Sequence, residues 1–202
     1  MIRPGDTITN PVTGERFTFT HTAASTDGEL LAFDFALAPG GKVPVPHVHP
    51  IQTERFEVVS GSVRFRLGAK TFVAGPGEVV EAPPGVAHGF GNAGEGEAKM
   101  RVEVRPALAM EKMFEEVVAL AEAGKLTKRG LPRNLLTLAA LARRYDLEAH
   151  APGLSVTAQR MLLAPLVALA QRRDRLRDAP GTRVGGFRAL DIERDRALGA
   201  VR

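Results

Sequence analysis

Gly41-Lys42-Val43-Pro44-Val45-Pro46-His47-Val48-His49-Pro50-Ile51-Gln52-Thr53-Glu54 is the stretch whose reading decides the fold. His47 and His49 stand two apart, and on extended backbone residues i and i+2 point to the same face. Two imidazoles on one inward face can bind one metal ion. Beyond the corner at Pro50, Glu54-Arg55-Phe56-Glu57-Val58-Val59 alternates, so Glu54, Phe56 and Val58 share a face. If Phe56 and Val58 are core, Glu54 is a carboxylate aimed into an apolar interior. Such a group needs a cation or a hydrogen-bond donor, and a metal held by the two histidines would supply the cation. Gln52 reads as a plain corner residue, and Glu57 and Glu81 read as outward.

Further along, Gly77-Glu78-Val79-Val80-Glu81-Ala82-Pro83-Pro84-Gly85-Val86-Ala87-His88-Gly89-Phe90-Gly91-Asn92 adds a third histidine after a Pro-Gly turn. His88 and Phe90 share a face. His47, His49, Glu54 and His88 then form a set of three imidazoles and one carboxylate, and without thiolate such a set suits Fe, Mn, Ni, Cu or Zn. The alternative is a metal-free barrel whose inward polar groups only hydrogen-bond to one another.

These two stretches resemble the two signature motifs of the cupin superfamily. The pattern G-x5-H-x-H-x4-E-x6-G falls on Gly41, His47, His49, Glu54 and Gly61. The pattern G-x5-P-x-G-x2-H-x3-N falls on Gly77, Pro83, Gly85, His88 and Asn92. The resemblance covers roughly the first half of the chain. It implies a mainly β fold, a double-stranded β-helix (jelly-roll) barrel, with one divalent transition metal ion held by the four residues. Its likeness to single-barrel bacterial cupins with quercetinase-like and germin-like motifs implies a dioxygenase-type oxidoreductase whose substrate is a small organic molecule with vicinal oxygens. A non-redox isomerase or lyase is the runner-up, and a metal-dependent ligand-binding or regulatory module is the third reading.

Around these motifs the chain reads as short strands punctuated by Gly and Pro turns, a barrel or sandwich pattern in its own right. Arg16-Phe17-Thr18-Phe19-Thr20 alternates; Leu31, Phe33, Phe35 and Leu37 line one face; Val63, Phe65 and Leu67 face inward; Met100 to Arg105 alternates again until Pro106. Eight of the ten phenylalanines precede residue 91 and are read mainly as barrel core, Phe72 among them. Phe56 and Phe90, each sharing a face with a ligand, are candidates to wall a substrate pocket. The single tyrosine, Tyr145, lies outside the barrel, so proton transfer there falls to Glu54, a bound water or the substrate.

After Pro106 the periodicity becomes helical. Three helices are expected: within 107–123, from about 133 to 145, and from about 155 onward, the last kinked or broken at Pro165. The expected organisation is a cupin barrel over 1–106, a helical extension over 107–177 and an Arg-rich, poorly ordered tail over 178–202. The extension carries no motif histidine, and His150 sits alone beside Pro152-Gly153. It is therefore expected to serve assembly rather than chemistry, with the 110–121 and 161–170 runs as core and a two-fold homodimer as the product. His21 and His150 receive no role.

Composition narrows the classes. The 202 residues include no cysteine, which excludes disulfides and thiolate ligands. Nine of the 27 basic and five of the 23 acidic residues lie in 171–202, so that stretch holds the entire net charge of +4. A neutral barrel gives no reason to bind nucleic acid. No apolar run is long enough to span a membrane, and membrane contact by 161–177 is not expected. With no signal-like apolar run behind the N-terminus, the expected location is the cytoplasm.

Overall fold

The fold is described by a computed structural model that covers residues 1–42 and 46–178, without the side chains beyond residue 173. The expectation for the Arg-rich stretch after 178 lies outside the described residues. Among the described residues nine strands precede three α-helices: β1 (Thr7–Asn10), β2 (Glu15–His21), β3 (Leu31–Leu37), β4 (Thr53–Ser60), β5 (Val63–Leu67), β6 (Lys70–Ala74), β7 (Val79–Ala82), β8 (His88–Asn92) and β9 (Ala98–Arg105), then α1 (Met110–Glu122), α2 (Leu135–Arg144) and α3 (Val156–Asp178), with a short 3-10 turn at Ala23–Ser25 between β2 and β3. One sheet runs β1-β2-β3-β9-β4-β7 and the other β6-β5-β8, with antiparallel neighbours throughout.

The strands form where the sequence alternates, and the alternating apolar side chains fill the space between the sheets. Phe17, Phe33, Phe35, Phe56, Val58, Val63, Phe65, Met100, Val102 and Val104 belong to one buried cluster. Their rings meet edge to face or tilted: Phe35 to Phe90 at 5.6 Å, Phe56 to Phe90 at 5.0 Å and Phe56 to Phe65 at 5.3 Å between centroids. Such geometries suit the aromatic quadrupole. The β4-to-β5 turn needs a glycine. Gly61 has φ of 78°, and a Cβ there would come within 2.9 Å of the Ala98 backbone.

Asn92, the last residue of the second motif, ties loops together. Its Nδ2 donates to the carbonyls of Leu37 at 2.9 Å, Ala38 at 3.2 Å and Gly96 at 2.7 Å, and its Oδ1 accepts from the Gly94 N–H at 2.8 Å. This fixes the end of β8 against the end of β3.

The helical region packs on its own barrel. Phe114 of α1 lies 4.7 Å from the ring of Phe17 and 5.6 Å from that of Phe33. Of the residues read at helical spacing, Met110 and Ala121 are buried and Met113, Phe114 and Val117 are half-buried, while Val118 and Leu120 are also buried. Other expectations need correction. Phe72 is 37% exposed, because β6 is the edge of the smaller sheet and its ring has Phe65 on one side. Met161, Leu162 and Leu169 are exposed, so the 161–170 run is covered within this chain on one side only, where Leu163, Leu166 and Val167 are half-buried and Ala170 is buried. Pro165 does not break α3, which runs through it. Pro165 and Met161, four residues before it, both lie on the exposed side, where water can satisfy the carbonyl that proline leaves without a donor. Gln52 is not a plain corner residue either. It is fully buried, and its Nε2 donates to the carbonyls of Pro106 at 2.9 Å and Ala107 at 3.2 Å, joining the start of β4 to the end of the barrel.

Asn92→Ala should destabilise the fold by about 1–3 kcal/mol, because it leaves several backbone groups without their partner. Denaturant unfolding should show the loss as a lower midpoint at unchanged slope. An unchanged midpoint would mean that water replaces the amide without cost.

Candidate metal centre

The four residues singled out by spacing come together between the sheets. Glu54 comes from β4 of the larger sheet and His88 from β8 of the smaller one. His47 and His49 come from the extended segment before β4. That segment makes isolated bridges rather than a full strand, yet the parity holds: His47 pairs with His88, while Val48 pairs with His150 on the opposite side. Reciprocal backbone bonds fix the first pair, His47 N–H to the His88 carbonyl at 3.0 Å and His88 N–H to the His47 carbonyl at 2.9 Å. The Gly85 N–H donates to the His49 carbonyl at 2.9 Å, so the Pro-Gly turn grips the same segment.

One potential ligand atom from each of His47, His49, Glu54 and His88 lies within 4.8 Å of the other three. Transition-metal bonds to nitrogen and oxygen are about 2.0–2.2 Å, so donors around a single ion stand roughly 3 to 4.4 Å apart. The donor set has the size and chemistry to hold one ion after a small contraction. Imidazole centroids lie 4.5 to 4.9 Å apart.

The orientation of two imidazoles is set from behind. His88 Nδ1 donates to the Val86 carbonyl at 3.0 Å, and His49 Nδ1 donates to the Glu148 carbonyl. Their Nε2 atoms are thereby aimed at Glu54 Oε2, each at 3.0 Å. Metal-binding histidines commonly carry such a partner on the other ring nitrogen, because it fixes the tautomer and raises the basicity of the ligating nitrogen. Glu148 was not expected near the site. It lies in the helical region, between α2 and α3, and its contact corrects the view that this region stands apart from the chemistry. His150 likewise meets the site segment, through backbone bonds of 3.0 Å in both directions with Val48.

His49, Glu54 and His88 are buried, whereas His47 is half-buried. Burial alone would raise the Glu54 pKa. Hydrogen bonds and charge from His49 and His88 outweigh it and hold the carboxyl well below its usual range. Burial alone would lower the His49 pKa. The hydrogen bond and charge of Glu54, with the Glu148 carbonyl, outweigh it and raise that imidazole above its ordinary value. Phe56 lies beneath the cluster, its ring 6.2 Å from that of His88, and is 1% exposed; Phe90 keeps partial exposure. Glu57 and Glu81 point away from the cluster, as parity predicts: Glu57 is half-buried beside Arg55 and Glu81 is exposed.

Residues 33–105 match the family described as Cupin domain. This stretch is a cupin domain. With β1 and β2 added on one side, the sheets form the double-stranded β-helix of that family, and the helices lie C-terminal to it. Over 111 residues the chain is 32% identical to germin-like protein subfamily T member 3 of Arabidopsis thaliana, an alignment that spans 52% of this chain and 45% of the relative. The chain thus covers less than half of that relative's length. Solved structures similar to the cupin barrel include a predicted oxalate decarboxylase from Thermotoga maritima, at 18% identity and a TM-score of 0.46, covering 52% of this chain and 98% of that one. Another is KdgF from Halomonas sp., at 20% identity and a TM-score of 0.44, covering 50% and 86%. Among the described residues no helix is long and apolar enough to cross a membrane.

The protonation pattern predicts how metal binding depends on pH. A metal and a proton compete for Nε2 of His49. Because that imidazole is raised, metal affinity should begin to fall above the ordinary imidazole range as pH decreases. Glu54, being depressed, stays ionised well below that point. In the metal-free protein the stability contributed by His49 is complete below the unfolded imidazole pKa and is lost as pH rises through the raised folded value. The contribution of Glu54 is present above the unfolded carboxyl pKa and is lost as pH falls through its depressed folded value. The gap in Tm between metal-loaded and chelator-stripped protein should therefore widen as pH rises through the imidazole range; at a hundredfold excess of ion over Kd the bound ion adds about 2.7 kcal/mol of stability. Thermal melts of both forms across pH check this, and a gap independent of pH would contradict it.

Proposed function

We propose that this cupin is a metal-dependent enzyme of the dioxygenase type, acting on a small organic molecule with vicinal oxygens. The observation that carries the reading is the convergence of three imidazoles and one carboxylate with two imidazoles pre-oriented by backbone carbonyls. His47, His49, Glu54 and His88 would hold a divalent transition metal ion. When bound, such an ion supplies a Lewis acid that lowers the pKa of a ligated hydroxyl, and a redox-active one adds an electron path to dioxygen.

The chain's own residues would do the rest. Three neutral imidazoles and one carboxylate leave a divalent ion with net positive charge, which favours an anionic or oxygen-rich ligand. Glu54 is the carboxylate of the cluster, and a carboxylate with so depressed a pKa is a weak base. It suits acceptance of a proton from a hydroxyl that is already acidified. Phe56 lies against the cluster with Phe65 packed behind it, an apolar surface that keeps water from that side. Phe90, the partly exposed member of the pair with Phe56, is our candidate for a substrate-contacting wall.

Oxygen consumption tests the reading. Protein reconstituted separately with Fe, Mn, Ni, Cu and Zn should take up dioxygen with some member of a panel of catechols, 1,2-diketones and α-hydroxyketones. Glu54→Gln should weaken metal retention by at least roughly tenfold, since a ligand should matter no less than its outer-shell partners, and uptake should fall with it. Turnover without oxygen uptake would replace this reading with a non-redox isomerase or lyase. Ligand binding without turnover would replace it with a binding module.

We also propose a two-fold homodimer through α3. Met161, Leu162 and Leu169, with Pro165 and Ala168 between, leave an exposed apolar strip at helical spacing, a surface suited to pairing with its own copy. Leu162→Glu combined with Leu169→Glu should convert the dimer to monomer in sedimentation or light scattering. A wild-type protein that is monomeric at micromolar concentration would refute the dimer.

A further inference from the structure

The corner between α2 and α3 is held more firmly than a connection between surface helices requires. Asp146 is 3% exposed and accepts from three guanidinium nitrogens: Arg160 Nε and Nη2, both at 2.7 Å, and Arg143 Nη1 at 2.9 Å. Gln159 of α3 accepts from the Ala151 N–H at 2.9 Å and donates to the Ala142 carbonyl at 3.3 Å, clasping both ends of the corner. The Glu148 carboxylate is buried and accepts from the Ala109 N–H at 3.0 Å, at the start of α1. The backbone of His150 then pairs with Val48, which stands between the two motif histidines.

These tethers flank the Glu148 carbonyl oxygen, which accepts from the Nδ1 of His49. We propose that the 145–151 corner is a positioning element of the metal centre: by presenting the Glu148 carbonyl to His49 Nδ1, it fixes the tautomer and ring angle of His49 and so sets the affinity and ligand field of the bound ion. The inference rests on the metal-dependent reading above. It gives the helical region a part in the chemistry without giving it a ligand. Glu148, Gln159 and Arg160 are positioning residues, because they act through His49 and not on the ion.

The test titrates cobalt(II) into chelator-stripped, full-length wild type, Glu148→Ala, Glu148→Gln and Leu126→Ala, recording Kd and the visible d–d absorption. Glu148→Ala removes the acceptor for Ala109 N–H, loosening the corner. Glu148→Gln keeps an acceptor oxygen there. Leu126→Ala weakens the separate core around Leu120 and Ala121 and reports what loss of stability alone does. The expected result is a cobalt Kd weakened by about tenfold or more in Glu148→Ala, with an altered d–d band, while Glu148→Gln and Leu126→Ala stay near wild type. If Glu148→Ala does not fold, Gln159→Ala serves for the same comparison with the same expectation. Wild-type Kd and band in Glu148→Ala, or equal weakening in Leu126→Ala, would overturn the positioning role and leave the metal reading intact. Failure of the wild type itself to bind cobalt would overturn the metal reading and the inference with it.

Discussion

A carboxylate placed inside an apolar barrel has to be compensated, and the compensation of Glu54 constrains much of this structure. Its Oε2 lies 3.0 Å from two imidazole nitrogens. Each of those imidazoles can face Glu54 only if its other nitrogen is satisfied elsewhere, since a buried N–H without an acceptor costs free energy of its own. The acceptors are main-chain carbonyls, Val86 beside the Pro-Pro-Gly turn and Glu148 at the corner between α2 and α3. The turn and the corner must therefore be in place for the carboxylate to be tolerated. The dependence then spreads outward: the turn is bonded to the His49 carbonyl through Gly85, and the corner is tied to α3 through Asp146 and Gln159.

What the sequence makes legible follows from which groups carry residue identity. Period-two alternation located the strands because a one-residue slip would turn Phe56 and Val58 outward and Arg55 inward. The ligands were legible because imidazole and carboxylate chemistry belongs to particular side chains, and their spacing fixes parity. The Glu148 carbonyl was not legible, because every residue has one. A main-chain acceptor supplied by a segment about a hundred residues away leaves no mark in the identity of the residue. The clue that existed was indirect, a cluster of Asp146, Glu148, Gln159 and Arg160 around a helix corner, and it reads equally well as ordinary surface charge. Gln52 was misjudged for a related reason. Its partners are the carbonyls of Pro106 and Ala107, which no pattern of side chains announces.

Sheet edges and helix faces were the other source of error. Phe72 alternates in register with the core and stands opposite Phe65, so its pattern is that of an inward residue. Its exposure follows from strand order, with β6 at the edge of a three-stranded sheet, and order is a property of the whole fold. The apolar content of α3 similarly says that something covers it without saying what. Inside this chain Gln159 and Ala170 are buried while Met161, Leu162 and Leu169 are not.

The burial of the four site residues is uneven in a way that suits a metal centre. His49, Glu54 and His88 are enclosed, and Phe56, with Phe65 packed behind it, excludes water on the His88 side, which strengthens the charge interactions at the cluster. His47 alone of the four is half-buried, and Pro46 beside it is exposed. The enclosed residues can therefore set affinity and geometry, while the side bearing His47 remains open to exchange. Full enclosure would hold an ion but admit no substrate. Full exposure would let water compete with Glu54 for both imidazoles and would weaken the orientation that Val86 and Glu148 impose. A site straddling the boundary between aromatic core and solvent avoids both, and the two sheets of the barrel create that boundary where β4 and β8 face each other.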